Sequence, residues 1–373
     1  MRLLDRYLLR ELLLPLGYCL GGFLIFWISF DLLKDLDRFQ KHDLNVADIV
    51  EFYLVTGPEF FLETMPIGLL LALLYALTTH ARHNELTAMR AAGISLWRFS
   101  VPYLGVGFFF TLTFFAINEF WVPDVSDRAE AILNRHDASQ SNSTTAEWRR
   151  DLKFLNSRDN RAWWIKAYNL KTSEMQNPVI DWHFPDGRRQ VISAQRGIFS
   201  GGAWEFSDVK QISYTSAQDI APTNLATNIL VFTEWPETPA LIRSEIKISN
   251  LNSKQAAKRP QLSITDILNY LELHPRLDRA TRALIKTQLH GRIAAPWTCL
   301  IVVFIALPFG AISGRRNVFV GVASSIFICF SYFILLRLGL ALGTGGYLPG
   351  WIAAWMPNIL FGGGALWLTM RVR

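Results

Sequence analysis

His80-Ala81-Arg82-His83-Asn84-Glu85-Leu86-Thr87-Ala88-Met89-Arg90-Ala91-Ala92-Gly93 is a polar interlude between two long apolar runs. Before it, about Phe52 to Thr79 is interrupted only by Glu59, Glu63 and Pro66; after it, the run is about Phe99 to Val122. A helix needs about 20 largely apolar residues to cross a bilayer. Two such runs joined by a loop carrying Arg82, Arg90 and Arg98 read as a membrane hairpin with its turn in the cytoplasm, where Lys and Arg collect. Four further runs qualify: Leu12 to Phe30, Ile293 to Ser313, about Val318 to Leu342, and about Trp351 to Met370. Six crossings put Arg2, Arg6 and Arg10, Arg315 and Arg316, and Arg371 and Arg373 on that same side. Both termini are then expected in the cytoplasm. The polar middle, Pro123 to about His290, is expected outside, which in a bacterium is the periplasm. The first run is too long for a signal-peptide core and no small-residue cleavage site follows it, so it reads as a retained helix.

Composition agrees. Of 373 residues, 51% are hydrophobic and 18% charged, with 13 Trp and 26 Phe. Soluble domains carry about 25% charged residues. Disordered chains, coiled coils and collagen-like fibres are excluded. The net charge of +6 forms no basic stripe and accompanies no nucleic-acid motif, so no nucleic-acid partner is expected. Cys19, Cys299 and Cys329 each lie in an apolar run without a partner at metal-ligand spacing. They read as packing residues, with neither a disulfide framework nor a zinc site. Tyr18 before Cys19 argues against a lipidation site, which needs a small residue there.

The middle of the chain reads as strands from about Thr145 to Trp235. Arg161–Tyr168, Val179–Phe184, Arg188–Ala194, Gly197–Ser200, Trp204–Phe206, Val209–Tyr214 and Asn228–Trp235 alternate or cluster apolar residues. Asp186-Gly187 and Gly201-Gly202 are hairpin turn signals. Turns at this spacing suggest a β-sandwich or jelly roll. Beyond it, Ser263 or Thr265 can cap a helix over Asp266–Leu273, and Pro275 is expected to start a longer helix leading into the fourth span.

No GxxxxGK[ST] occurs, so the chain is not itself a P-loop ATPase, and no HExxH or paired-carboxylate pattern points to catalysis. Residues 83–92 favour a short helix, with Gly93 suited to its C-terminal cap. Leu86, Met89 and Arg90 share a face, and Ala88, Ala91 and Ala92 permit close approach. Such a helix either docks on a partner or lies on lipid. Glu59 and Glu63, spaced i, i+4, and Arg337 in the fifth span are either interfacial, Arg337 by snorkelling, or functional. Lys34, Arg38 and Lys41 follow the first run on the outer side, against the charge rule, with Asp31, Asp35, Asp37 and Asp43 offsetting them.

Several of these segments resemble the LptF/LptG (YjgP/YjgQ) family, permeases of the lipopolysaccharide-export ABC transporter. Leu4-Asp5-Arg6-Tyr7 opens the first helix as in the family. Asn84 to Gly93 is similar to the family's coupling helix. Leu307-Pro308-Phe309-Gly310, Gly314-Arg315-Arg316 and Trp355-Met356-Pro357-Asn358 resemble the loop after the fourth span and the start of the last.

The resemblance implies an α+β membrane protein with six transmembrane helices (3+3) and a periplasmic β-jellyroll between helices 3 and 4. The parts would be 1–122 (spans one to three), 123–262 (jellyroll) and 263–373 (connecting helix and spans four to six). It implies a transport subunit of the bacterial inner membrane that is not an enzyme and carries no cofactor, metal or catalytic residue of its own. ATP and Mg would sit on a partner. The implied partners are a sister permease, an LptB-like cytoplasmic ATPase dimer, an LptC-like single-span jellyroll protein, an LptA-like periplasmic bridge, and lipopolysaccharide. His83, Asn84, Glu85, Leu86, Met89, Arg90 and Gly93 would couple to the ATPase. Lys34, Arg38 and Lys41, with Phe30 and Arg337, would meet the lipid and its phosphates. Asp31 departs from a basic residue of some members, with Lys34 one turn on. The competing reading is a non-transporting scaffold or receptor whose β domain binds a periplasmic partner.

Overall fold

The computed structural model describes residues 3–133, 135, 148–214, 223–233, 235–251, 262–275, 277–311 and 318–371. The Gly314-Arg315-Arg316 segment lies outside them. The chain divides into two compact units, Met1–Ile132 with Asp278–Arg373, and Leu133–Leu277.

The first unit is helical. α1 (Leu3–Lys41), α2 (Val46–Arg82), the short α3 (Glu85–Ala91), α4 (Leu96–Phe120) and α5 (Val122–Leu133) make its first half. After the sheet domain come α8 (Arg279–Ala294), a 3₁₀ turn (Ala295–Trp297), α9 (Thr298–Ala311), α10 (Val318–Thr344) and α11 (Gly350–Arg371). Among the described residues, six helices are long and apolar enough to cross a membrane, three on each side of the sheet. α1 and α2 outrun the apolar runs that announce them: at 39 and 37 residues each is about 55–58 Å long, against a hydrocarbon core of about 30 Å. Lys34, Arg38 and Lys41 are therefore not in a loop after the first span but on the last turns of α1 itself.

The core of this unit gathers Leu8 and Leu12 of α1, Leu69 and Leu73 of α2, Tyr103 of α4 and Val302 and Ala306 of α9. Small residues set the closest approaches, as they do where lipid offers no hydrophobic drive for helix association. A Cβ on Gly107 of α4 would meet Val303 Cγ2 at 2.8 Å, and one on Gly339 of α10 would meet the Ala353 carbonyl oxygen of α11 at 2.5 Å. One buried polar knot joins the last three spans. Tyr332 O–H donates to Asn358 Oδ1 at 2.6 Å and Asn358 Nδ2 donates to the Ala294 carbonyl at 3.0 Å, while the Thr298 hydroxyl lies 2.8 Å from that of Tyr332. Asn358 thus serves a carbonyl at the break where α8 gives way to the 3₁₀ turn. Cys299 and Cys329 are buried and Cys19 half-buried, all as free thiols.

The second unit is an antiparallel sheet with two helices. Its strands are β1 (Trp148–Asn156), β2 (Arg161–Asn169), β3 (Met175–His183), β4 (Arg189–Ser193), β5 (Arg196–Ser200), β6 (Ala203–Tyr214) and β7 (Thr223–Phe232). β4 and β5 run end to end, both pairing with β3 on one side and β6 on the other, so the sheet is a meander in chain order. Gly201 and Gly202, both at positive φ (60° and 87°), make the two-residue turn from Ser200 to Ala203. Asp186-Gly187 turns β3 into β4, with Gly187 at φ 86°.

A crease crosses this sheet. Asp151, Asn177 and Asp208 all take left-handed backbone (φ 54°, 46° and 54°) and lie in one register row, 151–166–177–195–208–228. Asp and Asn tolerate this conformation best after glycine. Side-chain alternation reverses at the row, as a left-handed residue requires. Phe154, Trp163, Ile180 and Ile192 on one side of it and Tyr168, Met175 and Phe206 on the other then enter one core. The break between Trp204–Phe206 and Val209–Tyr214 in the sequence is this crease; β6 is one strand through it.

Ile242 and Ile246 of α6 (Pro239–Leu251) complete that core. α7 (Ile264–Leu273) is held by the expected cap: Asp266 N–H donates to Ser263 Oγ at 3.0 Å and Ser263 N–H to Asp266 Oδ2 at 3.2 Å. It stays with the sheet through His274, whose Nε2 lies 2.6 Å from Glu245 Oε1. The helix expected from Pro275 begins instead at Arg279, because Asp278 is its cap, accepting from Thr281 N–H at 3.1 Å.

Candidate functional site

α3 forms where the spacing places it. It spans Glu85–Ala91, slightly inside 83–92, because Asn84 turns the chain through left-handed backbone (φ 56°) after α2. Gly93 ends it at φ 78°: Gly93 N–H donates to Arg90 O and Ile94 N–H to Met89 O, both at 3.0 Å, the paired bonds of a Schellman cap. A seven-residue helix is marginal alone. Packing holds this one, since Leu86 is buried in the chain's own core and Met89 packs partly against it. Of the residues expected to shape a docking face, Leu86 and Met89 therefore turn inward. His83, Asn84, Thr87, Ala88 and Arg90 are exposed.

Glu85 is the meeting point of four helices. Tyr7 O–H of α1 donates to its carboxylate, 3.1 Å from Oε1 and 3.0 Å from Oε2. His80 of α2 brings Nδ1 to 2.7 Å from Oε2 and Nε2 to 3.1 Å from the Tyr103 hydroxyl of α4. Since a carboxylate only accepts, Nδ1 donates to Glu85, and Nε2 shares a hydrogen bond with the Tyr103 hydroxyl. His80 is fully buried, yet each of its ring nitrogens has a partner, as a buried polar group requires. Tyr7 and Phe99 flank its ring at centroid distances of 5.8 and 6.1 Å. Asp5 pairs with Arg98 at 2.6 Å beside them. The segment Leu4-Asp5-Arg6-Tyr7 thus carries two ties, one to α4 and one to α3. The Glu85 side chain remains 31% exposed, so its outer side is open to an external cation. Glu85 stands out in the sequence, but its partners Tyr7 and His80, and Tyr103 behind His80, do not.

At the other end of α1, Phe30, Lys34, Arg38 and Lys41 fall within about 80° of one another around the helix. All four are exposed. Asp31, half-buried, accepts from Tyr53 O–H of α2 at 3.5 Å, so it faces α2 and leaves the cationic stripe to Asp37 alone among exposed acids on these turns. Arg337 is exposed on α10, seven residues before its end. Glu63 is exposed and Glu59 half-buried on α2. No group of three or more His, Cys, Asp or Glu among the described residues could hold a metal ion.

In the sheet unit a cavity of about 580 Å³ is walled by Trp182, Phe184 and Trp235 with Arg158, Asp159 and Arg161. Arg161 lies under it, 4.9 Å from the Trp182 ring and 5.0 Å from that of Trp235. Its Nε donates to Glu237 Oε1 at 2.8 Å and its Nη2 to Asp159 Oδ2 at 2.6 Å.

Three membrane-capable helices, an antiparallel sheet domain and three more such helices, with a short helix pinned beside the first three, define a multi-pass α+β membrane protein. The sequence model of the lipopolysaccharide export system permease LptF/LptG family matches residues 6–371, and the chain belongs to that family. No curated protein matches it. Membership gives the role of a lipopolysaccharide-export permease, a transport protein of the inner membrane and not an enzyme.

Proposed function

We propose that this permease converts ATP-driven motion of a partner into extraction of lipopolysaccharide, with α3 as the point of transmission. The observation that carries the reading is Glu85: a half-exposed carboxylate on a short helix, hydrogen-bonded to two spans and open on its outer side. A cytoplasmic ATPase dimer would engage α3 through His83, Asn84, Thr87, Ala88 and Arg90 and present a cation to Glu85. Gly93 ends the helix, and Leu86 and Met89 anchor it to the core, so that a push on it is felt by the bundle.

The rest of the reading follows family membership and charge. A sister permease would complete the cavity. The termini and α3 would face the cytoplasm and the sheet domain the periplasm, as the basic loops dictate. Lys34, Arg38 and Lys41 would receive lipid A phosphates above Phe30, with acyl chains against the apolar turns below. Arg337 would add a further cation. The aromatic cavity over Arg161 would accept apolar cargo on its way to a single-span jellyroll partner and a periplasmic bridge. ATP and Mg would be bound by the ATPase.

The test is Glu85→Lys in the assembled exporter, reconstituted in liposomes containing lipopolysaccharide. The variant reverses the charge that Tyr7 and His80 complement. ATP hydrolysis is expected to continue while lipid release falls at least tenfold. Normal release per ATP would overturn the coupling role.

A further inference from the structure

We propose that Tyr7 and His80 are positioning residues, Tyr7 fastening α3 to α1 and His80 orienting Glu85 for that tie, so that a displacement of α3 moves α1 as a rod. The inference rests on the coupling role proposed for Glu85 and specifies where the motion goes.

Three observations carry it. First, the bonds converge on one carboxylate from different helices: Tyr7 from α1, His80 from α2, and Tyr103 from α4 behind His80. Hydrogen bonds to a charged acceptor are stronger than neutral ones; the His80 bond is short at 2.7 Å, and the Tyr7 hydroxyl straddles both oxygens at 3.0 and 3.1 Å. Both oxygens of Glu85 are engaged on their inner side, so its outward orientation is fixed before any partner arrives. Second, α1 is one helix from Leu3 to Lys41, with Tyr7 near one end and the stripe Phe30, Lys34, Arg38 and Lys41 at the other. Third, beyond its first turns α1 leans on α2, through Trp27 against Phe60, the Tyr53 hydroxyl on Asp31 and Phe39 against Phe52. Its buried residues are Leu8, Leu12, Pro15 and Leu16 near the start and Phe39 near the end, with none between. A stiff helix tied to α3 near its start and backed by α2 carries a tilt from one end to the other.

The hydrogen bonds hold Glu85 and His80 in one geometry. His80 Nδ1 donates to Glu85, and the bond between Nε2 and the fully buried Tyr103 hydroxyl holds the plane of the imidazole. Removing the Tyr7 hydroxyl cuts the tie to α1 and leaves the His80 tie intact. Replacing His80 by Asn keeps a donor near the Nδ1 position and loses only the arm to Tyr103.

The experiment uses the assembled exporter in liposomes containing lipopolysaccharide, measuring lipid released and ATP hydrolysed for Tyr7→Phe, His80→Leu, His80→Asn and Glu85→Lys. Spin labels at Leu36 of α1 and Leu54 of α2, both exposed, report movement of the rod. Tyr7→Phe and His80→Leu are expected to lower lipid released per ATP about tenfold, the scale of one hydrogen bond to a charged group, with ATP turnover within about twofold of wild type. His80→Asn is expected to recover most of the loss. The nucleotide-dependent change in the Leu36–Leu54 distance is expected in the wild type and to vanish in Tyr7→Phe, a readout that simple destabilisation would not single out. If Glu85→Lys uncouples while Tyr7→Phe keeps the wild-type ratio and distance change, the fastening role is overturned and the coupling role stands. If Glu85→Lys also keeps the wild-type ratio, both are overturned.

Discussion

Replacing Arg161 by Met removes the cation from the most buried charge cluster of the sheet unit. Arg161 is 3% exposed and Glu237 fully buried. The guanidinium gives Glu237 Oε1 a 2.8 Å bond, gives Asp159 a 2.6 Å bond, and lies between the rings of Trp182 and Trp235. Breaking a buried ion pair from one side costs about 3–5 kcal/mol, because the remaining charge stays in low dielectric. Asn156 Nδ2 at 2.7 Å and Trp163 Nε1 at 3.4 Å still donate to Glu237 Oε1, which favours the lower end, about 3 kcal/mol. Adding Glu237→Gln removes the stranded charge and is expected to return about half of that loss. For a unit of this size, about 3 kcal/mol corresponds to a fall in melting temperature of roughly 10 °C. The assay is thermal unfolding of the full chain in detergent, followed by the fluorescence of the tryptophans that ring the pair. A melt of Arg161→Met within about 2 °C of wild type, or a double variant no more stable than the single one, would refute the reasoning.

Two more outcomes follow. Asn358→Leu deprives Tyr332 of its acceptor and leaves the Ala294 carbonyl without its side-chain donor. At about 0.6 kcal/mol per interhelical bond in membranes and up to about 1.7, a loss of about 1–3 kcal/mol is expected in urea unfolding of the detergent-solubilised chain. Burial raises the Tyr168 phenol above its ordinary value of 10.0. The folded state favours its neutral form, so this contribution is whole below pH 10 and lost as pH rises through the folded value; Tyr168→Phe should flatten the alkaline fall in stability of the sheet unit, measured by the tryptophan signal.

Much of the fold is legible because hydrophobicity and turn chemistry act locally. Apolar runs locate the six spans, and Gly93 and Ser263 locate the ends of short helices. The helix ends beyond the apolar runs escape, since Lys34 to Lys41 continues α1 on polar residues. α5 carries a readable signal in Val122, Val125, Ala129, Ile132 and Leu133, all buried at helical spacing, but Pro123 masks it; proline is well tolerated in a first turn. In β3, Pro178 hides a strand that begins at Met175. The site is legible only in part. The i, i+3 spacing of Leu86 and Met89 identifies a face, but not whether that face meets the chain's own core or a partner. The ties to Glu85 come from Tyr7 and His80 on other helices, and no periodicity in the chain joins those positions.

The crease through the sheet constrains how this domain can change over evolutionary time. Adding or removing one residue in a strand on either side of Asp151, Asn177 or Asp208 would turn that half of the strand inside out, exposing its share of the Trp163–Phe206 core. Length variation is therefore confined to the turns between strands, or must come as pairs of residues. The aspartates and asparagine of the crease act as punctuation that fixes the reading frame of each strand against its neighbours. A β-branched residue at any of them would press its strand toward flat pleating and break the frame without touching a single core side chain.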